Sequence, residues 1–158
     1  MTAAPRDQRD WPDVLRRFIL ASVVLHLAWE IAQLPLYTIW LEPIPRQVFA
    51  VVHCTLGDLM IAALTLLTAL AMFGTSSWPS SNTRGVWLLL LILGVAYTVY
   101  SEWLNVSVRG SWSYAEQMPV VPILGTGLSP LLQWIVVPTA AQWVAIGRSP
   151  WRDHPGAA

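Results

Sequence analysis

Residues 17–39 read RFILASVVLHLAWEIAQLPLYTI, a stretch apolar enough to enter a lipid bilayer yet interrupted by His26, Glu30 and Gln33. Ser22, His26, Glu30, Gln33 and Tyr37 recur at steps of four, four, three and four, which puts them on one continuous helical face. Hydrocarbon cannot solvate such a stripe, so the face is expected to point into a bundle whose other helices supply its partners.

A helix needs about 20 residues to cross the hydrocarbon layer. Four segments meet that length: 17–39, 47–73, 85–105 and 126–146. The expectation is an all-α, polytopic four-helix membrane bundle, with residues 1–16 and 147–158 as tails and 17–146 as a single membrane domain. The second segment is the most regular, stopping at Gly74 before a Ser/Pro/Asn linker that runs from Thr75 to Thr83. The first apolar run follows a basic tail, as in a signal peptide. It carries Glu30 and lacks a small-residue cleavage site, so it reads as a retained helix.

Composition agrees. The chain has 158 residues, 55% of them hydrophobic and 11% charged, with a mean hydropathy of +0.52, too apolar for an ordinary soluble domain. Net charge is zero and lysine is absent, which removes nucleic acid as a partner and makes arginine position the informative quantity. Arg6, Arg9, Arg16, Arg17, Arg84, Arg148 and Arg152 fall on one side of the four segments, and Arg46 and Arg109 on the other. Positive flanks stay inside, so both termini are expected in the cytoplasm. Trp11, Trp78, Trp87 and Trp151 near the inner boundary and Trp40, Trp103 and Trp112 near the outer one agree, with Trp29 and Trp134 as mid-depth exceptions.

Cys54 is the only cysteine, which excludes an internal disulfide and any multi-cysteine metal site. No repeat, heptad seam or low-complexity tract is present. The segment RGSWSYAEQMPVVPILGTGLSP, residues 109–130, mixes aromatics with glycine and proline. It is expected to fold over or into the outer mouth as an extracytoplasmic loop, because irregular backbone at that depth must be buried in protein or line a wet cavity.

The candidate catalytic groups are Glu30, Asp58, Glu102, His26 and His53, ionisable side chains that are costly at membrane depth unless they work or pair. With a rise of about 1.5 Å per residue, Glu30 and His53 lie about 12 and 10 Å below the outer end of their helices, and His26 and Asp58 both lie about 18 Å below it. Two His–carboxylate pairs are therefore geometrically allowed. Glu102 lies near the level of Gln33 and Tyr37, one turn from Thr98 and three residues before Asn105. Trp29, Gln33, Tyr37 and Asn105 are the candidate cavity-lining residues. Pro35, Pro130 and Pro138 are expected to kink their helices and free carbonyls for Gln133 or water.

Plain packing roles compete with each of these. His26 and Glu30 can be an i,i+4 pair that pins helix packing, Asp58 beside Gly57 can bond a closely approaching helix, and Glu102 can reach headgroup water.

The stretches HLAWEIAQLPLYTIW (26–40), HCTLGDLMIA (53–62) and YSEWLNVSVRGSWSYAEQMPVVPILGTGLSPLLQW (100–134) resemble a family of small, uncharacterised bacterial four-helix inner-membrane proteins. That resemblance, over roughly residues 18–146, implies the membrane architecture and its polar residues and names no reaction. His26-Leu27-Ala28-Trp29-Glu30 is also similar to the H-x-x-x-E stretch of sterol-isomerase-type, EXPERA-like membrane domains. This second resemblance implies membrane carboxylates that move a proton across a double bond while an aromatic face stabilises the cation.

Four functions follow as expectations. The first is a lipid-phase acid/base enzyme on an apolar, isoprenoid-type substrate, with Glu30 as acid, Asp58 or Glu102 as return base, His26 and His53 orienting or relaying, and Trp29 facing a developing cation. The second is a proton- or metal-binding or translocating protein using His26, Glu30, His53 and Asp58. The third is haem held between His26 and His53, which their differing depths oppose. The fourth is a non-catalytic membrane assembly partner that uses the outer loop.

Overall fold

The bundle begins where Pro12 can occupy a first helical turn without losing a hydrogen bond and Asp13 can meet the positive end of the helix dipole. A computed structural model describes residues 11–147. The expected tails are thus only partly in view: Arg6, Arg9, Arg148, Arg152 and Trp151 lie outside the described residues.

Helix α1 spans Trp11–Gln33, starting six residues earlier than the hydropathy suggested because Asp13 takes ion pairs from Arg16 and Arg17 at 2.9 and 2.8 Å and draws the polar segment into the helix. It also ends earlier. Pro35 supplies no N–H, and the chain tightens into short 3-10 turns at Leu34–Leu36 and Thr38–Leu41 instead of bending as one helix. Helix α2 spans Ile44–Phe73 with a proline in its first turn. Gln47 folds back on the Trp40 and Glu42 carbonyls at 2.9 and 2.7 Å, fixing the α1–α2 connection.

Helix α3 spans Thr83–Glu102 and widens into a π-helical turn over Trp103–Val108. Helix α4 spans Leu128–Ile146 and ends at Gly147, whose left-handed φ of 66° suits a residue without Cβ. Pro130 lies in the first turn of α4 and Pro138 in its interior, yet α4 remains one helix. Between α3 and α4 the chain forms a small hairpin in which Val120–Val121 pairs antiparallel with Thr126–Gly127.

α1 packs on α2 and α4, and α3 packs on the same two, so the helices close a ring of chain neighbours. Contacts of His26 with Gln133 and of Gln33 with Ser129 run α4 antiparallel to α1. Trp87 bonding Thr139 runs it antiparallel to α3. Of these helices, three are long and apolar enough to cross a membrane among the described residues: α1 and α2, and α3 with its π-turn. α4, with Gln133, Gln142 and two prolines, is not one of them.

The two halves of the bundle differ in chemistry. Toward the end that carries Arg16 and Arg84, Val14, Phe18, Leu66, Val86, Leu90 and Ile146 form a dry apolar core. Toward the opposite end the interior is polar, with Ser22, His26, Glu30, Gln33, Glu102 and Gln133 buried. Outward faces are the reverse: Leu20, Val24 and Ile31 on α1, and Leu56, Met60, Leu64 and Leu67 on α2, are exposed. Polar interior and apolar exterior suit hydrocarbon as the surrounding solvent.

Candidate functional site

Gln133 is the hinge of the polar half. Its buried side chain lies one turn into α4 from Ser129, and its Oε1 accepts from Gln33 Nε2 at 3.2 Å. That bond fixes the amide's orientation, so Nε2 faces Glu30 Oε1 and Asp58 Oδ2, each at 2.9 Å, and His26 Nδ1 at 3.1 Å. Two N–H bonds cannot serve three acceptors. The carboxylates are the stronger acceptors, which leaves His26 Nδ1 to direct its own hydrogen at Asp58 Oδ2, 3.4 Å away.

The network continues toward the membrane-facing side. Trp29 Nε1 donates to Ser129 Oγ at 3.3 Å, and Ser129 Oγ donates to Gln33 Oε1 at 2.8 Å. Gln33 Nε2 then donates to Glu30 Oε1 at 2.8 Å. The chain of donors ends on the two acids, through Gln33 Nε2 and Gln133 Nε2. The arrangement is a preorganised cradle for negative charge or for a carboxyl that gives up its proton.

A third acid, Glu102, lies toward the mouth. Tyr114 donates to Glu102 Oε2 at 2.5 Å and accepts from Gly127 N at 2.9 Å. Burial and the bond to Glu102 push the Tyr114 phenol above the usual tyrosine range. Tyr37 pairs with Tyr114 through an antiparallel bridge and a ring contact at 5.6 Å. The turns after α1 carry further ties: Ala115 N donates to Leu36 O at 2.9 Å, Thr38 N to Ser113 O at 3.0 Å, and Gln117 Nε2 to Pro35 O at 2.8 Å. The carbonyls freed by Pro35 are thus satisfied by the α3–α4 segment.

Between these groups is a cavity of about 300 Å³, the lower end of the size range of small-molecule sites, roughly 300–1,000 Å³. Glu30, Asp58, Gln133 and Trp134 line its inner end, and Glu102, Tyr37, Asn105, Trp112 and Arg109 its outer part. Its lining reaches the surface in two places, at the outer end through Ile39, His53 and Arg109, and beside α2 and α3 through Tyr97, with Cys54, Gly57 and Ser101 half-buried next to it. Trp134 forms the floor, 5.4 Å from the His26 ring and seated where Gly94 has no side chain.

Of the expected groups, Glu30, Asp58 and His26 come together, and Glu102 lines the same cavity with Gln33, Tyr37 and Asn105. The Glu30–His53 pairing that depth allowed is absent among the described residues. His53 is exposed at the rim and stacks on Phe49 at 5.5 Å, because one side of α2 faces outward there. Trp29 does not line the cavity, since its indole turns to Ser129; Trp134 and Trp112 provide the aromatic walls instead. Gln133 serves the acids, not freed carbonyls.

The expected metal set of His26, Glu30, His53 and Asp58 does not assemble. With His53 turned out and the Gln133 amide between the other three, no group of three metal-capable side chains gathers among the described residues. A haem between His26 and His53 meets the same obstacle, because one ring is buried against Trp134 and the other exposed. Gln133, Ser129, Trp112 and Tyr114 are site residues that the sequence pattern alone did not single out. Gln133 had a legible signal, an amide at mid-depth in a span, whereas Tyr114 had none before the loop was folded.

No family model, no curated protein and no solved structure matches the chain.

Proposed function

We propose that the chain is an integral inner-membrane enzyme that moves protons on an apolar, isoprenoid-type substrate drawn from the lipid phase. The observation that carries this reading is the position of Glu30 and Asp58 on one amide nitrogen at the floor of a cavity with a lateral opening. In this reading Glu30 delivers its proton to one carbon of a double bond, and Asp58 or Glu102 removes a proton from a neighbouring carbon. The double bond migrates with no oxidant or reductant, and the proton that Asp58 takes up passes back to Glu30, which lies within hydrogen-bonding reach of it. Trp134, Trp112 and Tyr37 face the positive charge that develops between the two steps. The faint likeness to sterol-isomerase-type domains points the same way.

The membrane reading that goes with it has all four helices as spans, α4 held by its partners, both termini cytoplasmic and the α3–α4 segment outside. Arginine distribution supports that orientation. Transmembrane proton translocation is less well supported: among the described residues no ionisable side chain is buried inward of Ser22, where Phe18, Leu66 and Leu90 pack around only the Thr65 and Thr83 hydroxyls and the Gln142 amide. The assembly-partner reading has one observation in its favour, the 95% exposure of Ile123 at the tip of the outer hairpin. Co-purification of a stoichiometric partner that is lost in Ile123→Ser would favour it.

Solvent isotope incorporation tests the enzyme reading across all lipids at once. Vesicles holding the protein and native membrane lipids are incubated in deuterium oxide, and the lipids are analysed by mass spectrometry for deuterium on carbon. The wild type is expected to label one class of unsaturated lipid, and Glu30→Gln and Asp58→Asn to abolish the label while inserting and folding normally. Absence of carbon-bound deuterium in every lipid would remove the enzyme reading.

A further inference from the structure

A glycine in mid-helix costs roughly 0.5–1 kcal/mol relative to alanine, so each one calls for a reason. At Gly94 the reason is contact: a Cβ would run into the Trp134 ring, and its absence lets α4 close on α3. Gly57 has no such neighbour. A Cβ built there meets no heavy atom within 4 Å, and its φ is ordinary for a helix. Close approach of another backbone therefore does not explain this position. What the missing side chain leaves is room, immediately beside Asp58 and on a stretch of α2 where Cys54, Asp58 and Ile61 also line the cavity.

That room faces the lateral opening. Tyr97 and Ser101 line the cavity from α3, and Tyr97 is itself 43% exposed. The α2 residues that flank Gly57 on the outer surface, Leu56 and Met60, are apolar and exposed. An unsaturated chain lying in hydrocarbon meets only the hydroxyls of Tyr97 and Ser101, and no charged side chain, between those residues and the acids.

We propose that Gly57 is the threshold of this opening, the position over which an apolar chain passes to reach Glu30 and Asp58, and that side-chain size at 57 sets the length and bulk of chain the cavity accepts. This inference rests on the lipid-phase reading above. It assigns that reading's substrate a shape: a flexible isoprenoid-type chain that enters where α2 projects no side chain, at Gly57.

The test is native mass spectrometry of the detergent-purified full chain with geraniol, farnesol and geranylgeraniol as probes of increasing length. Wild type is expected to bind all three. Gly57→Leu is expected to weaken farnesol and geranylgeraniol at least tenfold, and Gly57→Ala to weaken geranylgeraniol several-fold while leaving the thermal transition unchanged or raised. Leu20→Phe, on the outward face of α1 and away from the cavity, is expected to leave all three unaffected. If Gly57→Leu does not fold, Gly57→Ala decides alone. Variants that bind every alcohol as wild type does would overturn the role of Gly57 and leave the lipid-phase reading standing, whereas a wild type that binds none of them would overturn both.

Discussion

Glu30 and Asp58 depend on a residue of the last helix. Replacing Gln133 with leucine keeps the volume but strips both acids of a donor, and a buried acceptor left unsatisfied costs about 1–3 kcal/mol. Gln133→Leu is therefore expected to lower the thermal transition of the purified protein clearly, and Gln133→Glu, which sets a third carboxyl against the two, more still. An unchanged transition in both would mean the amide is not holding the acids. Gly94→Ala is expected to cost about 1–3 kcal/mol through overpacking against Trp134, read in the same melt. At this scale much was legible. The stripe Ser22–His26–Glu30–Gln33–Tyr37 announced an inward face, and the depth match of His26 with Asp58 is realised at 3.4 Å. His53 lines the cavity without reaching Glu30, and Trp29 turns to Ser129: helical spacing gives depth within a residue or two but not which neighbour lies opposite each face.

The elements divide between those set by pattern and those set by partners. α2 and α3 follow their apolar runs almost to the residue. The end of α1 does not, because Pro35 breaks the ladder and the freed carbonyls find donors in a segment some eighty residues further on, a pairing no local signal encodes. Tyr114 holds that union to Glu102, and its chemistry predicts an alkaline limit. Its phenol keeps a proton in the folded chain at pH values where an unfolded tyrosine, with a pKa near 10, has lost it. A folded-state pKa above the unfolded one contributes stability that is complete below about pH 10 and lost as pH climbs through the folded value. Thermal stability is expected to fall more steeply above pH 10 in wild type than in Tyr114→Phe, which should start from a lower plateau. Parallel curves would deny Tyr114 this part.

For the molecule as a whole, the apolar exterior and polar interior make bilayer insertion and site formation one problem. In a Cys54→Ala background, Ser80→Cys is expected to react with a membrane-impermeant thiol reagent only from the cytoplasmic side, and Ser111→Cys only from outside. The opposite pattern would invert the proposed orientation. Leu64→Arg, on the outward face of α2, is expected to cost about 2.5–3.5 kcal/mol of insertion free energy at mid-membrane, measurable by glycosylation mapping. Overall architecture was the most legible level, since twenty-residue apolar runs are long-range information written locally. α4 is where that code weakens.

That weakness shapes how the protein is made. The first three helices leave the ribosome before Ser129 and Gln133 do, so for a time the nascent bundle carries Glu30 and Asp58 without their amide donor. In the proposed topology the last helix, the one of the four that is not both long and apolar enough to count as a span, is held by those waiting acids and completes them. Assembly order is thus written into the site: a nascent chain released before residue 128 should be a substrate for membrane quality control, and the same acids that serve the finished protein would mark the unfinished one.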